Sequence, residues 1–162
     1  IEVKEDNQIL HFRLPAWADN LTIKLDGRSE SDRIVLNKGK YTIQIGMDVK
    51  PKAIYSNSNI VHNANKVAFQ YGPFIYCAET LDQEDSVYKY FVDSKDINTL
   101  WVEDELASRH NLQVGALLKT SGEHLYSYEE EDSKDTQILN LIPYYLWANR
   151  ELSDMMVWLN RK

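Results

Sequence analysis

Val67-Ala68-Phe69-Gln70-Tyr71-Gly72-Pro73-Phe74-Ile75-Tyr76-Cys77-Ala78-Glu79 is the stretch whose reading decides the fold. Two short runs, apolar on both faces, flank a Gly-Pro pair that imposes a bend, and such runs suit the central strands of a packed β-sandwich. Upstream the pattern is strict alternation. Leu10, Phe12 and Leu14 alternate with His11 and Arg13, and Leu21, Ile23 and Leu25 alternate with Thr22 and Lys24, as half-buried strands do. Asp26-Gly27 tolerates positive φ and so predicts a tight turn after the second of these. Ile34 to Leu36 and Tyr41, Ile43, Ile45 flank Asn37-Lys38-Gly39-Lys40, which reads as a further hairpin. Four or five antiparallel strands are therefore expected before residue 50.

The polar stretch Ser56-Asn57-Ser58-Asn59 and His62-Asn63-Ala64-Asn65 has nothing to bury, and a subdomain boundary is expected there, dividing 1–62 from 63–162. From Asp82 to about Ser108 the acids predict a solvated, partly irregular connection anchored by Tyr88, Tyr90 and Phe91. Leu112, Val114 and Ala116-Leu117-Leu118 restore regular structure, followed by Tyr126 and Tyr128. The acidic run Glu129-Glu130-Glu131-Asp132 reads as an exposed loop. Ile138 to Trp147 and Met155 to Leu159 read as closing strands. No segment carries a long 3.6-residue period, so the expected fold is all-β, an antiparallel β-sandwich architecture in two small packed subdomains with little helix.

With 162 residues the chain can hold a core without staples, and its single cysteine, Cys77, excludes a disulfide framework or a cysteine-based zinc site. A net charge of −7 without a basic stripe argues against nucleic acid as a partner. The apolar runs are far shorter than the about 18 to 20 residues a membrane span requires. Ile1-Glu2-Val3-Lys4 starts inside a strand-like pattern, which points to a piece of a longer polypeptide whose compartment the sequence leaves open.

Chemistry-bearing constellations are scarce. His11, His62, His110 and His124 have no metal-ligand spacing, and Cys77 sits in an apolar run that holds a thiol neutral. There is no G-x-S-x-G and no phosphate loop. Glu79 ends a strand where its side chain could meet a cleft, either as one acid of a glycosidase pair or, more simply, as a polar residue at a strand terminus or a partner for an arginine. Glu103, Asp104 and Glu105 read as a surface cluster, and Asp82, Glu84 and Asp85 lack the spaced loop of a calcium site. Trp17, Trp101, Trp147 and Trp158 suit core packing, and their flat faces equally suit stacking on sugar rings.

Three blocks together resemble one family. Arg13-Leu14-Pro15-Ala16-Trp17 resembles an R-[IL]-P-x-W strand. The 67–79 stretch resembles V-A-L-x-x-G-P-[LI]-V-Y-x-x-E, and Ile142-Pro143-Tyr144-Tyr145-Leu146-Trp147-Ala148-Asn149-Arg150 resembles I-P-Y-Y-x-W-A-N-R. In this order, with Met156-Val157-Trp158 like a closing M-x-V-W strand, they are similar to the C-terminal half of glycoside hydrolase family 127, the β-L-arabinofuranosidase-like proteins. Tyr41 to Asp48 departs from the family's W-x-x-G-D turn.

The resemblance implies that residues 1–62 are a truncated middle sandwich and 63–162 the C-terminal one. It implies that the catalytic cysteine, with its zinc-binding cysteine and glutamate ligands, lies in a helical barrel outside this chain. No catalytic residue and no cofactor is expected within it, and no activity of it alone. The expected partner is that barrel, met through an exposed apolar or aromatic patch larger than a monomer usually shows; homodimerisation is left open. The alternatives are an independent carbohydrate-binding module using Trp17, Trp101 or Trp147 beside Glu79, and a small glycosidase built on two carboxylates.

Overall fold

The computed structural model describes residues 1–119, 125, 126, 128 and 136–162, so Glu129 to Asp132 and His124 lie outside the described residues. The chain forms two compact units, residues 1–50 and 51–162. Among the described residues, all regular elements are strands, apart from four single 3₁₀ turns.

The first unit contains β1 (Glu2–Val3), β2 (Gln8–His11), β3 (Asn20–Leu25), β4 (Arg28–Glu30), β5 (Arg33–Leu36), β6 (Gly39–Lys40) and β7 (Ile43–Asp48). The turn between β3 and β4 is the expected one, with Asp26 at φ 48° and Gly27 at φ 83°. The expected hairpin of 34–36 with 41–45 does not form. Instead β5 pairs with β2, β7 pairs with β3, and the intervening Gly39-Lys40 pairs with β1. Local side chains hold this crossover: Lys38 N–H donates to Asp6 Oδ1 at 2.8 Å, and Asn7 N–H to Asn37 Oδ1 at 3.2 Å. Ile23 of β3 then packs with Ile34 and Leu36 of β5, with Leu10, Phe12 and Tyr41 around them.

The second unit contains β8 (Pro51–Ile54), β9 (Lys66–Tyr71), β10 (Phe74–Glu79), β11 (Tyr90–Glu103), β12 (Ser108–Leu118), β13 (Thr136–Pro143), β14 (Met155–Met156) and β15 (Leu159–Arg161). Because β8 pairs with β9, the polar 56–65 stretch is a connection inside this unit, and the division of the chain falls between Lys50 and Pro51. Here the all-β expectation holds, but the sheet closes on itself instead of splitting into two stacked layers. β10 pairs with both β9 and β13, and the order β10-β13-β12-β11-β15-β9 returns to β10 as a six-stranded barrel. The Met155–Leu159 run is not one strand: β14 pairs with β10, while β15 inserts parallel to β11 and antiparallel to β9.

Period-two side chains fill the barrel. Leu112, Val114, Ala116 and Leu118 of β12 meet Leu139 and Leu141 of β13, Tyr90 and Val92 of β11, and Val67 and Phe69 of β9. Burying each large aliphatic side chain contributes roughly 1.5–3 kcal/mol. Cys77 is fully buried beside Ile142 and Leu146, in a second small cluster on the other face of β10.

Candidate functional site

Antiparallel pairing of β10 with β13, Tyr76 opposite Pro143 and Cys77 opposite Ile142, brings the 67–79 and 142–150 blocks side by side. Their polar members turn to each other. Glu79, only 1% exposed, accepts Ala148 N–H on Oε1 at 3.1 Å and forms an ion pair with Arg150 Nη2 through Oε2. Arg150 also grips Asp82 with both terminal nitrogens, at 2.6 and 2.7 Å. The bond to Asp82, then that to Glu79, hold the guanidinium firmly protonated against its partial burial. Ala148 takes φ 60°, the left-handed turn that aims its N–H at Glu79. Gln83 completes the knot, its amide donating to Asn140 O at 2.8 Å and accepting Asn140 N–H at 3.1 Å.

Four aromatic members of the same blocks turn outward, while Phe69 and Tyr76 are buried in the barrel. Phe74, Tyr144, Tyr145 and Trp147 are all exposed. Phe74 and Tyr145 lie 5.2 Å apart between ring centroids, and Tyr144 stacks on Trp147 at 6.0 Å and 21°. Tyr71 pairs with Phe74 across the β9–β10 turn, whose Gly72 supplies φ 57°. Tyr71 meets His110 edge-on at 5.3 Å, and His110 meets Trp101 at 4.9 Å. From Trp101 to Trp147 these rings follow one another as a row, linked by ring contacts, by the Tyr71–Phe74 strand pairing and, between Tyr145 and Tyr144, by adjacency in sequence alone. Tyr76 supports it from inside, donating to His110 O at 2.7 Å from a phenol whose pKa burial raises. Among the described residues, the buried His110 Nδ1 has no hydrogen-bond partner.

At the Trp101 end, Arg109 is 7% exposed and forks onto Asp104 at 2.6 and 2.8 Å, with Ala107 O and Asn111 Oδ1 taking two more of its donors. Asp104 also accepts Leu106 and Ala107 N–H, so it anchors the β11–β12 turn as well as belonging to a surface cluster.

Of the candidate residues, Trp101 and Trp147 are exposed at the two ends of this row, and Glu79 is buried and bonded to Ala148, the residue after Trp147. Trp17 is half-buried in the first unit and belongs to neither group. Arg150 and Arg109 were not singled out by sequence. The signal for Arg150 was present, since it ends the block that pairs with Glu79's own. Among the described residues, no group of three His, Cys, Asp or Glu side chains converges to hold a metal ion.

Residues 51–160 match the family model for the glycoside hydrolase family 127 C-terminal domain. The non-reducing end β-L-arabinofuranosidase of Bifidobacterium longum subsp. longum is 28% identical over 167 residues, covering 93% of this chain and 25% of that enzyme. A solved family 127 β-L-arabinofuranosidase from Geobacillus stearothermophilus T6 superposes with a TM-score of 0.74 at 23% identity, over 95% of this chain and 26% of that one. A structure described as a glycoside hydrolase gives 0.84 at 23% identity, over 98% and 28%. These structures share the fold, and the chain spans about a quarter of the length of the relatives it matches.

Proposed function

The chain belongs to glycoside hydrolase family 127, whose C-terminal domain occupies residues 51–160, and from that premise we propose that it is a non-catalytic β segment supporting a helical-barrel catalytic domain that cleaves arabinose-containing plant-type glycans. The observation that carries this reading is the sorting of the two paired blocks: Glu79 and Arg150 locked to each other, and Phe74, Tyr144, Tyr145 and Trp147 exposed. Locked carboxylates are poor general acids or nucleophiles: Asp82 spends both oxygens on Arg150, and Glu79 divides its own between Arg150 and the Ala148 N–H. An exposed aromatic row is the kind of surface a neighbouring domain covers.

The test mixes this chain with the helical barrel of a family member prepared without its own C-terminal segment. A complex in sedimentation, lost on Tyr145→Asp with Trp147→Asp, is expected; hydrolysis of an aryl β-L-arabinofuranoside by this chain alone would overturn the non-catalytic role. The stacked Tyr144–Trp147 pair favours a second reading, an independent carbohydrate-binding module. Saturable tryptophan fluorescence change with arabinose-containing oligosaccharides, abolished in Trp147→Ala, would establish it.

A further inference from the structure

The opposite end of β9 carries a depression of different chemistry. Tyr71, in the aromatic row, is the last residue of β9; Lys66 is the first, roughly 17 Å away at strand spacing. Around Lys66 the end of β8, the 56–65 connection and the end of β15 enclose an open depression of about 280 Å³, close to the lower end of ligand-sized pockets. Tyr55, Asn57, Ser58, Asn63, Lys66 and Arg161 line it, and no carboxylate does. In a chain with 25 acids against 18 bases, an acid-free pocket holding two cations is a local reversal of sign.

The walls are fixed while the binding groups are left over. Tyr55 is tethered through its hydroxyl to Ser94 Oγ at 2.8 Å, yet the residue is 53% exposed, so the ring is oriented and its surface is open. Asn65, at φ 54°, clamps the Arg161 backbone from both sides, accepting its N–H at 3.0 Å and donating to its carbonyl at 3.2 Å. Ser56 Oγ donates to Asn63 O and Asn59 N–H to Asn57 Oδ1, which closes the connection on itself. Among the described residues, the Lys66 ammonium has no acidic partner, and the Arg161 guanidinium meets only the Tyr55 ring, 5.8 Å from its centroid. Asn57 Nδ2, Ser58 Oγ and the Asn63 amide are likewise uncommitted hydrogen-bonding groups.

Two cations without acidic partners, one of them over the phenol ring, and three neutral polar side chains match one ligand class. A carboxylate satisfies the cations, vicinal hydroxyls satisfy the amides and the serine, and the C–H face of a pyranose packs on the ring. We propose that this depression is a binding site for an acidic sugar, a hexuronate residue of a glycan chain. The site lies apart from the aromatic row and stands whether or not that row docks a catalytic domain.

The experiment is a ¹⁵N–¹H titration of the whole chain with sodium galacturonate, with arabinose and with sodium sulfate at matched ionic strength. Galacturonate is expected to shift the amides of Asn57, Ser58, Lys66 and Arg161 saturably, at least about tenfold more tightly than either control. Lys66→Gln, Arg161→Gln and Tyr55→Ala should each weaken it about tenfold, with the β12 amide signals unmoved as the check on folding. Sulfate binding as tightly as galacturonate, with Tyr55→Ala silent, would reduce the site to simple anion attraction and overturn the proposal. So would the absence of shifts at tens of millimolar galacturonate.

Discussion

Glu79 and Arg150 close the two blocks that pair across β10 and β13, and they are joined to each other by an ion pair with the carboxylate almost wholly out of solvent. Removing the arginine leaves that carboxylate buried with only the Ala148 N–H. Arg150→Ala is expected to cost on the order of 3 kcal/mol, and Glu79→Gln less, because the amide oxygen still accepts from Ala148. Urea midpoints of both variants and of the double variant check this; additive losses would show that the pair is not coupled.

Acid should weaken the β11–β12 turn. The Arg109 fork, aided by the Leu106 and Ala107 N–H groups, holds the Asp104 carboxyl well below its usual value of 3.8. A depressed folded-state pKa means that the unfolded chain takes up the proton first. This contribution is therefore full above the usual value and is lost as the pH falls through it toward the folded one. Stability measured from pH 5 to pH 2 should fall less steeply in Asp104→Asn than in the parent.

Cys77 should be silent to thiol reagents in the folded protein. Burial first, then the neighbouring Glu79 and Asp82 charges, push its thiol up to about 12 from 9.0. That lowers the thiolate fraction near neutral pH by roughly a thousandfold, before access is counted. Labelling that proceeds at the same rate with and without urea would contradict the placement.

A side chain at Gly115 would be crowded by Asp96. A Cβ there would run into the Asp96 carboxylate and approach Asp96 Cβ to 3.2 Å, at the point where β11 shifts register between Val92 and Ile97. Gly115→Ala is expected to destabilise the barrel by about 1–3 kcal/mol, visible as a lower Tm.

Outward rings and inward side chains should respond differently. Trp147→Ala and Tyr145→Ala remove exposed aromatic surface and should stay within about 1 kcal/mol of the parent, whereas Leu141→Ala empties the barrel interior at a cost of about 2–5 kcal/mol. Thermal melts of the three variants distinguish a surface row from core packing.

Strands with a clean apolar face were legible in the sequence: Leu21, Ile23, Leu25 on β3, and Leu112, Val114, Ala116 on β12. β11 was not, although it is 14 residues long. Much of it is solvent-facing, and its register shift at Val92/Ile97 breaks the alternation, so Asp93, Lys95 and Asp96 read as a loop. Barrel closure was invisible for another reason. It rests on three residues of β15, and a run that short has no period to detect. The site was half legible: the blocks named the aromatics and Glu79, but only pairing of distant strands could show that Arg150 is the group Glu79 meets.

The parallel insertion of Leu159–Arg161 between β9 and β11 sets an order in time. Strands β9 to β13 can be made and paired in sequence as they emerge during synthesis, but the ring stays open until residue 161 has left the ribosome. Until then the facing edges of β9 and β11 present unpaired backbone, a state that invites pairing with other nascent chains.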